Sequence, residues 1–150
     1  MNRFVRVAVS AVAFGVIVAG GYFIEGVASA DDGAEVLGPG LVTVDVEIRH
    51  STFDDLDDLR VRPGTTVRFV VHNRDPINHE LIIGPAAVHK AHEHGSERAH
   101  PPVPGEVSVA PLDTGVTFYE FATPGPVEFA CHLPGHVAYG MIGVIEVTDA

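Results

Sequence analysis

From Leu41 to His50 the apolar side chains fall on every second residue. Val42, Val44, Val46 and Ile48 share one face, and Thr43, Asp45, Glu47 and Arg49 share the other. A period of two is the mark of a half-buried β-strand. The same alternation runs from Thr65 to His72, with Val67, Phe69 and Val71 inward. Shorter strand-like runs occupy Leu59–Arg62, Glu80–Ile83, Glu106–Ala110, Val116–Ala122, Val127–Cys131 and Met141–Val147, punctuated by turns such as Pro63-Gly64 and Gly84-Pro85. About eight short strands between Gly/Pro turns specify an all-β fold, a Greek-key β-sandwich. One stretch breaks the pattern. Ala86–His94 is built of helix formers, and Ser96–Gly105 carries Pro101, Pro102 and Pro104. Residues 85–105 are therefore expected as a His-rich, partly helical insertion. There is no internal repeat and no glycine-rich phosphate loop.

The 150 residues allow one domain and a leader. Arg3 and Arg6 precede an apolar run from Val7 to Ala19, and Ala28-Ser29-Ala30 closes the segment. Residues 1–30 read as a signal peptide cleaved between Ala30 and Asp31. The competing reading is an uncleaved anchor, with the apolar stretch extended to Ile24. No cysteine lies near the cleavage site, which excludes lipid attachment there, and the lack of an adjacent Arg pair argues for export unfolded rather than by the twin-Arg route. The protein is expected outside the cytoplasm, in the periplasm or cell envelope or secreted. Asp31–Gly40 is acidic and Gly-rich, a flexible N-terminal segment before the folded domain at 41–150.

With 9 Lys+Arg against 20 Asp+Glu, the net charge is -11. A chain this acidic is unsuited to binding nucleic acid through its phosphates. Membrane contact is expected only through an uncleaved leader, and a protein partner is expected to be basic. Asp54, Asp55, Asp57 and Asp58 lack the Gly and bidentate Glu of a calcium loop. They read as a solvated loop or, more sharply, a docking surface for that basic partner.

Cys131 is the sole cysteine. In an oxidising compartment an unpaired thiol is a liability unless it is protected or used. It ends one predicted strand, Met141 begins the next, and His136 lies midway, giving C-x4-H-x4-M. A loop containing Pro134 and Gly135 can turn a thiolate, an imidazole and a thioether towards one point. A second imidazole must come from elsewhere, and His79 opens the strand Glu80–Ile83. His72 falls on the outward face of its strand, which favours His79. Two His and one Cys with a distant Met make a blue-copper site, soft enough for Cu(I) and acceptable to Cu(II).

Residues 41–150 resemble a cupredoxin, the plastocyanin/azurin type of small blue copper protein. The resemblance rests on F-A-C-H-L-P-G-H-V-A-Y-G-M-I-G-V-I-E-V near the C-terminus and on V-R-P-G-T-T-V-R-F-V-V-H-N…H-E-L earlier. The Cys-to-His spacing is similar to that of azurin and auracyanin loops. The resemblance implies a cupredoxin-like sandwich with one type 1 copper held by His79, Cys131, His136 and Met141. Many cupredoxins carry Asn after the first His ligand, where it ties the ligand loops together; here that position is Glu80, with Asn78 on the other side. Azurin's disulfide is absent.

Two features lie outside that set. His132 follows Cys131 and is expected to point the opposite way, as a surface imidazole on the electron path. His89, His92, His94 and His100 form a cluster for a second metal, a second copper being the expectation, with Glu93 and Glu97 as further donors. That cluster lies past the end of the Glu80–Ile83 strand and is expected as a separate surface insertion. The leading functional expectation is an exported carrier of single electrons between redox partners, with no enzymatic activity. Its docking patch would be Leu133, Pro134, Val137 and Ala138 around His136. The alternative is an extracytoplasmic copper-binding, copper-resistance protein that uses the His-rich insertion as an additional site.

Overall fold

The computed structural model describes residues 36–54, 56–93 and 103–149. The leader at 1–30, Asp55, Glu97 and two of the clustered histidines, His94 and His100, lie outside the described residues.

In chain order the elements are β1 (Val36–Leu37), β2 (Gly40–Arg49), β3 (Thr52–Phe53), β4 (Arg60–Val61), β5 (Thr65–Asn73), β6 (His79–Gly84), α1 (Ala86–Glu93), β7 (Glu106–Val109), β8 (Thr114–Phe121), β9 (Gly125–Ala130) and β10 (Ile142–Val147). A 3-10 turn at Val137–Tyr139 interrupts the last loop. The strands form two sheets, one ordered β1-β4-β10-β9-β6-β7 and the other β3-β2-β5-β8. This is the expected β-sandwich.

The alternation seen in the sequence is the burial pattern of the strands. In β5, Thr65, Val67, Phe69, Val71 and Asn73 are all buried, and the residues between them are half-buried. The inner faces of both sheets meet in one core that includes Val46, Ile48, Phe69, Leu81, Ile83, Phe129 and Ile145. Phe53 of the smaller sheet and Phe129 of the larger meet edge to face at 5.5 Å. Each such side chain contributes about 1.5–3 kcal/mol on leaving water.

Two short elements correct the sequence reading. The segment expected as a flexible lead-in contributes β1, which pairs in parallel with β4, and Leu37 is buried in the core. Within the acidic stretch, β3 closes a hairpin on β2 through His50 and Ser51, both at positive φ. A two-residue hairpin needs that conformation to match strand twist.

The larger sheet positions the candidate ligands. β9 lies between β6 and β10, antiparallel to both. The register pairs Ile82 with Ala130 and Ile142 with Ala130, so the start of β6, the end of β9 and the start of β10 lie at the same sheet edge. His79, Cys131 and Met141 therefore converge there.

Candidate metal centre

Cys131 follows β9 directly, and its N–H donates to the Met141 carbonyl at 3.0 Å. The ladder thus pins both ends of the loop. Between them, the N–H of His136 donates to Leu133 O at 3.0 Å, and that of Met141 donates to His136 O at 3.1 Å. Gly140 ends the 3-10 turn at φ 97°, in the left-handed region that glycine enters without penalty. That reversal returns the chain to Met141 within one residue.

The structure brings one ligand atom from each of His79, Cys131 and His136 within 4.8 Å of one another. Cys131 Sγ lies 3.1 Å from His136 Nδ1. The His79 and His136 rings are 4.9 Å apart. Cys131 and Met141 are completely buried, and His79 nearly so. His72, the less favoured alternative, lies elsewhere, its Nε2 2.8 Å from Asp45 and its Nδ1 3.1 Å from Thr114 Oγ1.

His79 gives the most direct test of whether a metal fits. Its Nε2 donates to Asp75 Oδ2 at 3.1 Å, whereas Nδ1 is buried with no hydrogen-bond partner. Buried polar nitrogens are normally paired. An imidazole with one nitrogen anchored to a carboxylate and the other bare, beside a thiol and a second imidazole, is arranged as a metal ligand with its outer support in place. The donor set of two imidazoles, a thiolate and a nearby buried thioether suits copper in both oxidation states.

Asp75 and Asn73 supply that support, and sequence reasoning did not single them out. Asp75 accepts the N–H of His50 and of Ser51, each at 2.8 Å, as well as His79. Burial works to raise the Asp75 carboxyl, but the N–H groups of Ser51 and His50, joined by His79, hold it below its ordinary value. Asn73 is wholly buried; its amide donates to the carbonyls of Ile77, Val109 and Ala110, and its Oδ1 accepts the Asp75 N–H at 2.9 Å. It stitches the loop carrying Asp75 to the end of β7. The tie between the two ligand loops comes from Glu80, whose Oε1 accepts the His132 N–H at 2.8 Å.

Burial pushes the Cys131 thiol up, against the opposing pull of backbone N–H groups from Glu80 and Leu133. Burial also holds His79 below its ordinary value, with Asp75 pulling the other way and His136 adding to the depression. Burial thus favours the uncharged form of both the His79 imidazole and the Cys131 thiol.

His132 is not the surface imidazole expected. Its Nδ1 is buried, and its Nε2 lies 2.9 Å from Nδ1 of His89. His89 is the buried residue of α1, so the insertion packs back beside the ligand loop instead of standing apart from it. Of the four loop residues named for docking, Pro134 and Ala138 are exposed and Leu133 and Val137 half-buried, and Tyr139 beside them is largely in solvent.

The chain is 39% identical over 109 residues to the copper-resistant cuproprotein CopI of Rubrivivax gelatinosus, covering 70% of this chain and 66% of that protein. It is 36% identical over 100 residues to CopI of Vibrio cholerae, covering 60% and 55%. It thus spans just under two thirds of the first relative's length and little over half of the second's. No protein-family model matches. Among solved structures, auracyanin B superposes with a TM-score of 0.58 at 22% identity, covering 73% of this chain and 90% of that one. Reduced auracyanin from Roseiflexus castenholzii gives a TM-score of 0.59 at 21% identity, covering 71% and 96%.

Proposed function

We propose that this chain, whose fold is that of the auracyanins, is an extracytoplasmic copper-resistance protein that captures one copper in a type 1 centre. His79, Cys131 and His136 would hold the copper, with the buried Met141 thioether as a weaker fourth donor. The observation that carries this reading is the convergence of the three donors around a buried, unpartnered His79 Nδ1. The relatives named for copper resistance support the biological role. The leader pattern of residues 1–30 supports the location.

When bound, copper supplies a Cu(I)/Cu(II) couple. The chain's part is to prepare the cage. Asp75 holds His79 through Nε2, which leaves the buried Nδ1 bare to act as the donor in a fixed tautomer. Cys131 Sγ lies 3.1 Å from His136 Nδ1, and the thiol would give up its proton on ligating copper. The buried sulfur is shielded from oxidants in either state. The ladder beneath the loop keeps the donors close in either oxidation state. No substrate chemistry is part of this reading.

Single-electron carriage is the second reading, favoured by the half-buried His136 beside exposed Pro134, Ala138 and Tyr139. Such a small patch suits a transient redox partner, and the chain's acidity favours a basic one. Two measurements separate the readings. Cu(II) titration should develop an intense thiolate-to-copper band at one copper per Cys131. Expression in a copper-sensitive bacterial strain should then restore growth on copper, and the Cys131→Ser variant should not. A blue, reversible protein that leaves copper tolerance unchanged would favour electron carriage; absence of the band would remove both readings.

A further inference from the structure

His89 projects from the buried side of α1 onto the chain just past β9. Its Nε2 donates to the Glu128 carbonyl at 3.1 Å, which leaves Nδ1 as the lone-pair nitrogen. That Nδ1 faces His132 Nε2 at 2.9 Å and lies 3.6 Å from Glu128 Oε1. His132 is fixed from behind by its own N–H on Glu80 Oε1. Its second nitrogen, Nδ1, has no partner, so no hydrogen bond there dictates which ring nitrogen carries the proton. Nε2 is free to offer a lone pair. His92 is committed elsewhere: Nδ1 is 3.2 Å from Val88 O and Nε2 is 3.4 Å from Glu106. Its ring, 5.9 Å from that of His132, forms a wall.

We propose that His89 Nδ1, His132 Nε2 and the Glu128 carboxylate form a second metal site, for a borderline divalent cation and Cu(II) above all, on the flank of the Cys131 loop. The geometry asks for little movement. Two imidazole nitrogens bound tetrahedrally at about 2.0–2.1 Å would stand about 3.3 Å apart, a few tenths wider than the pair here. The Glu128 carbonyl supplies the outer hydrogen bond that ligating histidines use to fix their tautomer. Glu128 is 39% exposed in its side chain, so the site opens to solvent on that side. Nitrogen and oxygen donors without sulfur bind Cu(II) more tightly than the other first-row divalent ions, Zn(II) included. The site differs from a cluster of the helix and loop histidines alone: only His89 of the described pair takes part, and its partner comes from the ligand loop. It stands independently of copper at Cys131.

The test is Cu(II) loading of the purified full chain, followed by metal analysis and electron paramagnetic resonance. The expected result is two coppers per chain, one blue and one with the wide hyperfine splitting of nitrogen/oxygen ligation. His89→Ala should lose the second copper and keep the blue band. Glu128→Gln, at an exposed side chain with little folding risk, should weaken the second copper about tenfold. Zn(II) titration of the metal-free protein, followed by histidine ring NMR, should shift His89 and His132. One copper in the native chain would overturn the proposal. So would a second copper that persists in both variants, a second copper lost instead in His94→Ala/His100→Ala, or Zn(II) shifts confined to other histidines.

Discussion

Asp75→Ala tests the support of the candidate centre most severely. The carboxylate accepts three donors, His50 N–H and Ser51 N–H at 2.8 Å and His79 Nε2–H at 3.1 Å. Its side chain is 12% exposed and that of His79 is 0% exposed. The donors are unequal. The two turn N–H groups are only part-buried, so water can replace the carboxylate and each loss costs about 0.5–1 kcal/mol. His79 has no such recourse. With Asp75 gone both ring nitrogens are buried and unpaired, at about 1–3 kcal/mol for the newly orphaned one. The metal-free protein should therefore lose about 3 kcal/mol, less than the 5–15 kcal/mol typical of a domain, and remain folded. Urea unfolding at neutral pH measures this. The lowered Asp75 carboxyl sets the sign with pH: its stabilisation is complete above the ordinary 3.8 and is lost as pH falls through the folded value. Metal affinity should drop a further 10- to 100-fold, because an unsupported ligand must be ordered during binding; competition with a Cu(I) chelator reads this. Asp75→Asn, which keeps the shape and one acceptor oxygen, should fall between. If Asp75→Ala leaves both stability and copper affinity within experimental error of the native protein, the carboxylate does not position His79 and the account of the site is wrong.

Cys131→Ser should abolish the intense visible band while circular dichroism shows an intact sandwich, since the core of both sheets needs no metal. Met141→Gln should retain copper and lower its reduction potential, because a harder oxygen favours Cu(II); voltammetry measures it, and the buried amide should also cost about 1–3 kcal/mol in urea unfolding. His50→Asn with Ser51→Gly should stabilise the protein by about 1–2 kcal/mol in thermal unfolding, by relieving two non-glycine residues at φ 53° and 54° without disturbing their N–H bonds to Asp75. Glu47→Gln should slightly destabilise the protein at neutral pH. Hydrogen bonds from Arg49 and Arg74 hold the Glu47 carboxyl below 4.5, so the difference should vanish as pH falls through that lowered value, as acid titration of unfolding will show.

The sandwich was legible because its physics is local. Val67, Phe69 and Val71 of β5 point inward and Val44, Val46 and Ile48 of β2 repeat the rhythm, so period two places this side of the core; in β8 it does not, since Val116 and Phe118 are exposed while Thr117 and Phe121 are buried. The ligand loop was legible for the same reason. Cys131, His136 and Met141 are close in sequence and bracketed by strands, and a hairpin-like ladder has to bring its two ends together. β1 and β3 escaped notice because two-residue strands carry no period, and their pairing is decided by partners far along the chain.

The supports of the site were illegible for a different reason. Asp75 acts on a turn 24 and 25 residues earlier and on a histidine four residues later, and no composition rule links them. Asn73 did leave a mark. It occupies the inward position after Val67, Phe69 and Val71, where an amide has no place unless it satisfies backbone groups at close range. A polar residue in register with a buried apolar row is thus a signal of its own. His132 shows the limit of the strand rule. Alternation ends with β9 at Ala130, and beyond it side-chain direction is set by the loop, here by the Glu80 carboxylate holding the His132 N–H. An outward residue at a sheet edge then meets whatever packs over that edge. In this chain that is His89 of α1, which turns an expected surface imidazole into the half-buried member of a histidine pair.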